Sequence, residues 1–201
     1  QDFYKQLSYD GGAPLAYTTL SEVTLQRPDK LRVLTEADGP PSEFYYDGKT
    51  IQAYSPWAHL VAVADAPPTI DTTLKLAFDM AGIYFPSTDV IVAEPYQDLA
   101  DGLRLAFVMG QSHVVGGTLT DMVVIANETL QMQIWIGAED HLPRRLRATF
   151  FAEAGGFRHD LELSDWQVDP VLPAGTFASE RAAKAPRITF AHPARPPQSP
   201  Q

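Results

Sequence analysis

The chain of 201 residues contains no cysteine. The absence of thiols excludes disulfide bonds, a thiolate-ligated zinc site, a cysteine nucleophile and a lipidated N-terminal cysteine within this chain. Long hydrophobic runs are missing too. Because a membrane-spanning helix needs about 18 or more consecutive apolar residues, we expect no transmembrane segment.

Positive charge is scarce. Lys and Arg number 15 against 25 Asp and Glu, which gives a formal net charge of -10 and a pI of about 4.8. A chain of this charge is repelled overall by nucleic acid and by anionic membrane surfaces. We therefore expect no nucleic-acid partner.

Patterns typical of catalytic sites are also lacking. Ser112 lies beside His113, but a nucleophile elbow needs glycine two residues either side of the serine, and position 114 is valine. Adjacent residues of a strand also point to opposite faces, so this pair cannot interact within a strand. The five histidines show no metal-binding spacing, and His159, on an apolar strand face, is interpreted as a core or cavity residue. We expect no enzyme, no catalytic residue, no metal and no cofactor.

The clearest pattern in the sequence is a β-hairpin. Two runs of β-forming residues, 43–46 and 50–54, meet at Asp47-Gly48, a dipeptide that supplies the positive φ angles of a two-residue hairpin turn. In the preceding run, 30–35, the odd-numbered and even-numbered residues point to opposite sides, as in an antiparallel strand with one solvated face. Further strands are predicted at 3–9, 16–26, 57–64, 103–109, 112–115, 120–126, 131–136, 144–151, 157–163 and 187–190.

The periodicity changes after Pro67-Pro68. Apolar residues then recur at helical spacing, at Ile70, Leu74, Ala77, Phe78 and Ala81. Thr69 is suited to cap the start of this helix and Gly82 to close its end. Shorter helices are predicted at 88–93, stopped by Pro95, and at 96–100.

Strands followed by helices and then strands again indicate an α+β fold, in which one curved antiparallel β-sheet carries its helices on one side. Residues 1–190 are predicted to form a single domain, and the proline-rich stretch 191–201 a disordered tail. The chain opens on Gln1 with no leader, which permits a removed signal peptide.

Several short motifs, taken in order, resemble a known family. They are RPDKLR at 27–32, FYYDGKT at 44–50, YSP at 54–56, PPTID at 67–71, QIWI at 133–136, LPRRL at 142–146 and LSDW at 163–166. The chain is similar here to predicted periplasmic bacterial proteins of unknown function in the superfamily of the outer-membrane lipoprotein carriers LolA and LolB. The resemblance implies an unclosed half-barrel of about eleven strands with helices covering its concave face, location in the periplasm, and binding of acyl chains by analogy. It supplies no catalytic residue.

A concave, aromatic-rich sheet under helices can enclose a hydrophobic ligand. By strand parity, the residues predicted to line this cavity are Phe44, Tyr46, Tyr54, Trp135 and Phe150. The leading hypothesis is a non-catalytic periplasmic binding protein for a hydrophobic small molecule, a lipid or a lipoprotein acyl chain. The alternatives are a cell-envelope module that senses or binds a protein partner without a small ligand, and a hydrolase acting on an envelope substrate.

Overall fold

The described strands of the computed structural model form two sheets, where the sequence had suggested one. The structure describes residues 16–83, 85, 88–151 and 158–192. The six-stranded sheet has the order β1-β2-β3-β4-β5-β11 and the five-stranded sheet the order β10-β9-β8-β7-β6, and neither is closed. The elements are β1 (Thr19–Gln26), β2 (Lys30–Ala37), β3 (Ser42–Tyr46), β4 (Thr50–Ser55), β5 (Leu60–Asp65), α1 (Ile70–Ala81), α2 (Thr88–Ile91), α3 (Pro95–Ala100), β6 (Leu105–Ser112), β7 (Thr120–Ala126), β8 (Leu130–Gly137), β9 (Pro143–Phe150), β10 (Arg158–Glu162), α4 (Glu180–Lys184) and β11 (Arg187–Ile188).

The chain divides into two compact units, one built on each sheet. Most strand pairs are antiparallel, and a few short helices accompany the two sheets. The fold is therefore antiparallel-rich and of the α+β type. The predicted strand at 3–9 and all but the first two residues of the predicted tail at 191–201 lie outside the described residues.

The predicted hairpin is confirmed as β3 and β4, with its turn shifted by one residue. Tyr46 pairs with Ile51, so Gly48 and Lys49 are the two central residues of the turn. Gly48 has a φ of 95°, which suits the glycine at the first central position of a type II′ turn. Asp47 stabilises the turn from its edge, because its Oδ1 accepts hydrogen bonds from the backbone N–H groups of Lys49 and Thr50 at 2.9 and 2.8 Å.

The alternation predicted for β2 is confirmed. Leu31 and Val33 are buried, whereas Arg32 and Leu34 are only partly buried. The strand predicted at 57–64 begins later, at Leu60. The residues before it form a turn, which leaves Trp57 78% exposed instead of buried in a strand.

Helix α1 has the predicted capping residues. The Thr69 hydroxyl accepts a hydrogen bond from the Thr72 backbone N–H, and Gly82 closes the helix in the left-handed conformation with a φ of 64°. Ile70, Leu74 and Ala77 are buried as expected, while Phe78 is 52% exposed. The start of the helix is tied to the six-stranded sheet, because the Tyr46 hydroxyl donates to the carbonyl of Pro67.

The C-terminal segment matches the predictions in part. The strand predicted at 187–190 is present as the shorter β11, which pairs with β5 in parallel orientation in an otherwise antiparallel sheet. Helix α4 was missed by the sequence analysis. Ala182 of α4 packs with Tyr54 and Val61. These side chains lie on the sheet face opposite to Phe44, because Tyr54 pairs with Glu43. The helices therefore do not all lie on one side of the six-stranded sheet.

The five-stranded sheet is a meander of strands β6 to β10. The bounds of β7 match the prediction, those of β8 and β9 differ from it by one residue at each end, and β10 ends one residue earlier than predicted. The predicted first residue of β10, at 157, lies outside the described residues. The two strands predicted at 103–109 and 112–115 are one strand, β6, interrupted by a register shift between Val108 and Gly110. This irregularity is a β-bulge, which bends an edge strand without ending it.

Candidate functional site

One face of the five-stranded sheet is apolar over two neighbouring rows of side chains, and the next row carries Gln111 and Asp121, which hydrogen-bond to each other at 3.0 Å. The strand register defines the two apolar rows. We call the surface that they form the apolar face. Its rows are Ala106–Ile125–Met132–Ala148–His159 and Val108–Val123–Ile134–Leu146–Leu161. His159 is the one polar member, and its half-buried position agrees with the interpretation as a core or cavity residue.

Burial across the apolar face falls towards β6. Leu161, Leu146 and Ile134 are at most 8% exposed, Val123 is partly buried, and Val108 is 68% exposed. The cover consists of Val90 in α2, Leu99 in α3 and Leu103, which pack on the cluster formed by the buried side chains. The face is therefore covered over β8 to β10 and open along β6.

The opposite face carries a different set of groups. Phe107 in β6 is 46% exposed and pairs with Val124, which pairs in turn with Gln133. The side-chain amide of Gln133 donates to the sulfur of Met109 at 3.6 Å. We call this surface the outer face, and it joins apolar side chains near β6 to the charged groups of β9 and β10.

Asp160 is the centre of those charged groups. Arg145 binds its carboxylate through two hydrogen bonds of 2.7 Å, and Arg147 donates two more of 3.1 and 2.8 Å. Burial acts to raise the pKa of Asp160, but the hydrogen bonds from the two guanidinium groups outweigh it and hold that pKa below its ordinary value. Because Asp160 and Glu162 alternate with positions on the apolar face along β10, the sequence pattern alone is that of a solvated strand face. Asp160, with a side chain only 16% exposed, is instead a largely buried ion-pair centre.

Trp135 and Phe150 were predicted to line one cavity, and the register separates them. Phe150 pairs with Leu130 on the apolar face and is 36% exposed. Trp135 pairs with Arg145 on the outer face, where the guanidinium of Arg147 lies 5.9 Å from the centre of its ring. Of these two residues, only Phe150 shares a surface with the open strip along β6.

The other three predicted cavity residues belong to the six-stranded sheet, and all are buried. Phe44 and Tyr46 share one face, and Tyr54 lies on the other. The ring of Phe44 packs edge-on against Phe85 at 4.9 Å, while Tyr54 packs with α4 and hydrogen-bonds His59 at 3.1 Å. Phe44, Tyr46 and Tyr54 thus pack against other parts of the protein. Contact of these three side chains with a ligand stays a prediction.

The sequence analysis did not predict the exposed apolar strip along β6. The alternation of side chains along a strand indicates which face each one occupies, but not whether another element covers that face. The one signal of this strip in the sequence is that residues 105–112 contain no charged side chain, which is unusual for an edge strand. Ser112 ends this strand, and its hydroxyl accepts from the Val114 backbone N–H at 3.2 Å. Within the described parts of the chain, no group of three His, Asp or Glu side chains is arranged to hold a metal ion.

Two unclosed antiparallel-rich sheets with few helices define a β-rich protein of the α+β class. The chain belongs to the family described as "Predicted periplasmic protein (DUF2092)", whose model matches residues 3–191. This match confirms the expected periplasmic family of unknown function and its location, and it carries no link to the lipoprotein carriers. No curated protein matches the chain. Among the described residues, no helix has the length and apolar character needed to cross a membrane.

Proposed function

We propose that this protein is a non-catalytic periplasmic binding protein that holds an acyl chain or a similar hydrophobic ligand on its apolar face. The supporting observation is the gradient of exposure across that face, from 4% at Leu146 to 68% at Val108. A stable monomer gains by covering such a surface, because each apolar side chain removed from water contributes about 1.5–3 kcal/mol. An acyl chain is apolar along its length and fits a strip without charge.

The position of the ligand follows from the cover. Val90, Leu99 and Leu103 pack on the buried part of the apolar face, so a ligand has access to its exposed part along β6, at Ala106 and Val108. Phe150 offers a second exposed apolar side chain on the same face. The superfamily of lipoprotein carriers, which the motif resemblance to the periplasmic family implies, suggests the same ligand class by analogy of fold.

The first test is native mass spectrometry of the purified chain, followed by solvent extraction of anything bound. We expect a stoichiometric fatty acid or phospholipid, or uptake of added oleic acid as measured by displacement of a fluorescent naphthylamine probe. A clean apo mass without uptake of oleic acid or phospholipid would overturn the proposal. It would favour the envelope module that binds a protein partner.

A matched pair of variants tests the site. Val108→Gln places an amide on the apolar face, whereas Leu105→Gln places the same group on the outer face of the same strand, at a residue 51% exposed. We expect the first variant to weaken oleic acid binding at least about tenfold, or 1.4 kcal/mol, and the second to leave it unchanged. Equal effects of the two variants would contradict the assignment of the ligand to this face.

A further inference from the structure

The β6 edge of the five-stranded sheet has the properties of an interface. Among the described strands, β6 ends the order of its sheet, so one side of its backbone faces away from the ladder with β7. It exposes large apolar side chains on both faces: Leu105 51%, Phe107 46%, Val108 68% and Met109 51%. An edge strand of this kind is a template for pairing with another chain.

The other end of the same sheet shows how an edge is normally protected. β10 carries Arg158, Asp160 and Glu162 within five residues, and charged side chains on an edge discourage pairing with another strand. β6 has no charged residue over its eight positions. The bulge places Met109 as an extra residue between Val108 and Gly110, so regular pairing with another strand is limited to residues 105–109.

From these observations we infer that two copies of this protein associate through β6, pairing antiparallel about a two-fold axis at Phe107. Such an axis joins like faces of the two sheets, so each residue must lie opposite one of the same face. Centring the axis on Phe107 places Leu105 opposite the second copy's Met109 and Ala106 opposite its Val108. A two-fold axis at Ala106 would place the charged Arg104 opposite the apolar Val108. An axis at Val108 would place the apolar Leu105 opposite the polar Gln111. Both pairings are less favourable.

The occupant of this edge is a second copy because the edge is complementary to itself. On the outer face the two Phe107 rings meet, with a Leu–Met pair on either side. On the apolar face the small Ala106 meets the larger Val108, which fills space without overlap. No like charges meet within residues 105–109.

The area predicts a weak dimer. Four half-exposed large side chains contribute about 400 Å² per copy at roughly 100 Å² each, and the paired backbones add to this. A standard interface buries about 800 Å² per partner. We therefore expect a weak dimer, which is tested by sedimentation velocity from about 1 to about 200 µM.

The absence of native cysteine permits a register-specific test. Opposed residues of paired strands have Cα atoms about 4.5–5.5 Å apart, within the range of a disulfide. Phe107→Cys should therefore crosslink to itself under mild oxidation. Leu105→Cys should not, because its two copies are offset by four residues, or about 14 Å. A mixture of Leu105→Cys and Met109→Cys should form the mixed dimer.

Phe107→Lys should weaken self-association at least about tenfold, with a circular dichroism spectrum like that of the wild type. Val114→Lys is the control, since Val114 is 90% exposed and follows the strand. A wild-type chain that stays monomeric throughout the concentration range, or Phe107→Cys crosslinking no faster than Val114→Cys, would overturn the inference. A pair of variants separates the dimer from the proposed ligand site, although both use Val108: Leu105→Gln and Val108→Gln should both weaken the dimer, whereas only Val108→Gln should weaken binding of oleic acid.

Discussion

Neutralising Asp160 should lower the stability of the protein. Asp160→Asn keeps the size of the side chain and removes the charge that holds Arg145 and Arg147. A hydrogen bond to a charged group contributes about 1.5–3 kcal/mol, but Arg147 is 46% exposed and water replaces part of its contribution. We therefore expect a loss of about 1–2 kcal/mol at pH 7, or about 2–8 °C in Tm.

The pH dependence follows from the lowered pKa of Asp160. Because the carboxyl binds its proton more weakly in the folded than in the unfolded chain, its stabilisation is complete above the unfolded pKa of about 3.9. That stabilisation is lost as the pH falls through the folded pKa. The difference in stability between wild type and Asp160→Asn should therefore narrow between about pH 5 and pH 3.

Urea unfolding at several pH values measures both effects. The control is Glu162→Gln in the same strand, where the carboxylate is 55% exposed and lies 4.0 Å from Arg145. That variant should change stability by no more than about 0.5 kcal/mol. The reasoning is refuted if Asp160→Asn equals the wild type at pH 7, or if the gap between them is constant from pH 7 to pH 3.

Two further predictions concern the six-stranded sheet. Arg181→Ala should cost about 1–2 kcal/mol in urea unfolding, because it removes the guanidinium partner of the buried Glu43 carboxylate and leaves the Tyr45 hydroxyl to hydrogen-bond it. Lys184→Ala in α4 is the control, and equal losses would count against a role for the pair of Arg181 and Glu43, in which only Glu43 is buried. Gly48→Ala should destabilise the chain by about 1 kcal/mol more than Gly102→Ala. Both glycines have positive φ, but only at Gly48 would the added Cβ meet a neighbour, Asp29 Oδ2 at 2.7 Å; equal thermal unfolding of the two variants would contradict this.

Local chemistry was sufficient to predict several elements. The helix at α1 follows from its apolar spacing and from Thr69 and Gly82 at its ends, and all three features are confirmed. The hairpin of β3 and β4 follows from turn residues between two β-forming runs. In these elements the determining interactions join residues close in sequence, so a short window contains the whole signal.

The candidate site was harder to predict. The alternation of side chains within one strand does not show which residues of a neighbouring strand lie on the same face of the sheet. The sequence suggested that Trp135 and Phe150 share a surface, and the register assigns them to opposite faces. A shift of one residue in pairing reverses the face of every side chain in a strand. Helix α4 was missed for another reason: five residues are too few to show a helical period.

The sequence alone determined the composition that excludes thiol chemistry, the family to which the chain belongs, and the elements stabilised by neighbouring residues. Only the tertiary structure decided the division into two sheets, the parallel pairing of β11 with β5, and the open strip along β6. These features depend on contacts between residues distant in the chain. The free energy of these contacts depends on which surfaces pack together and which stay exposed to water. A short window of sequence does not contain that information.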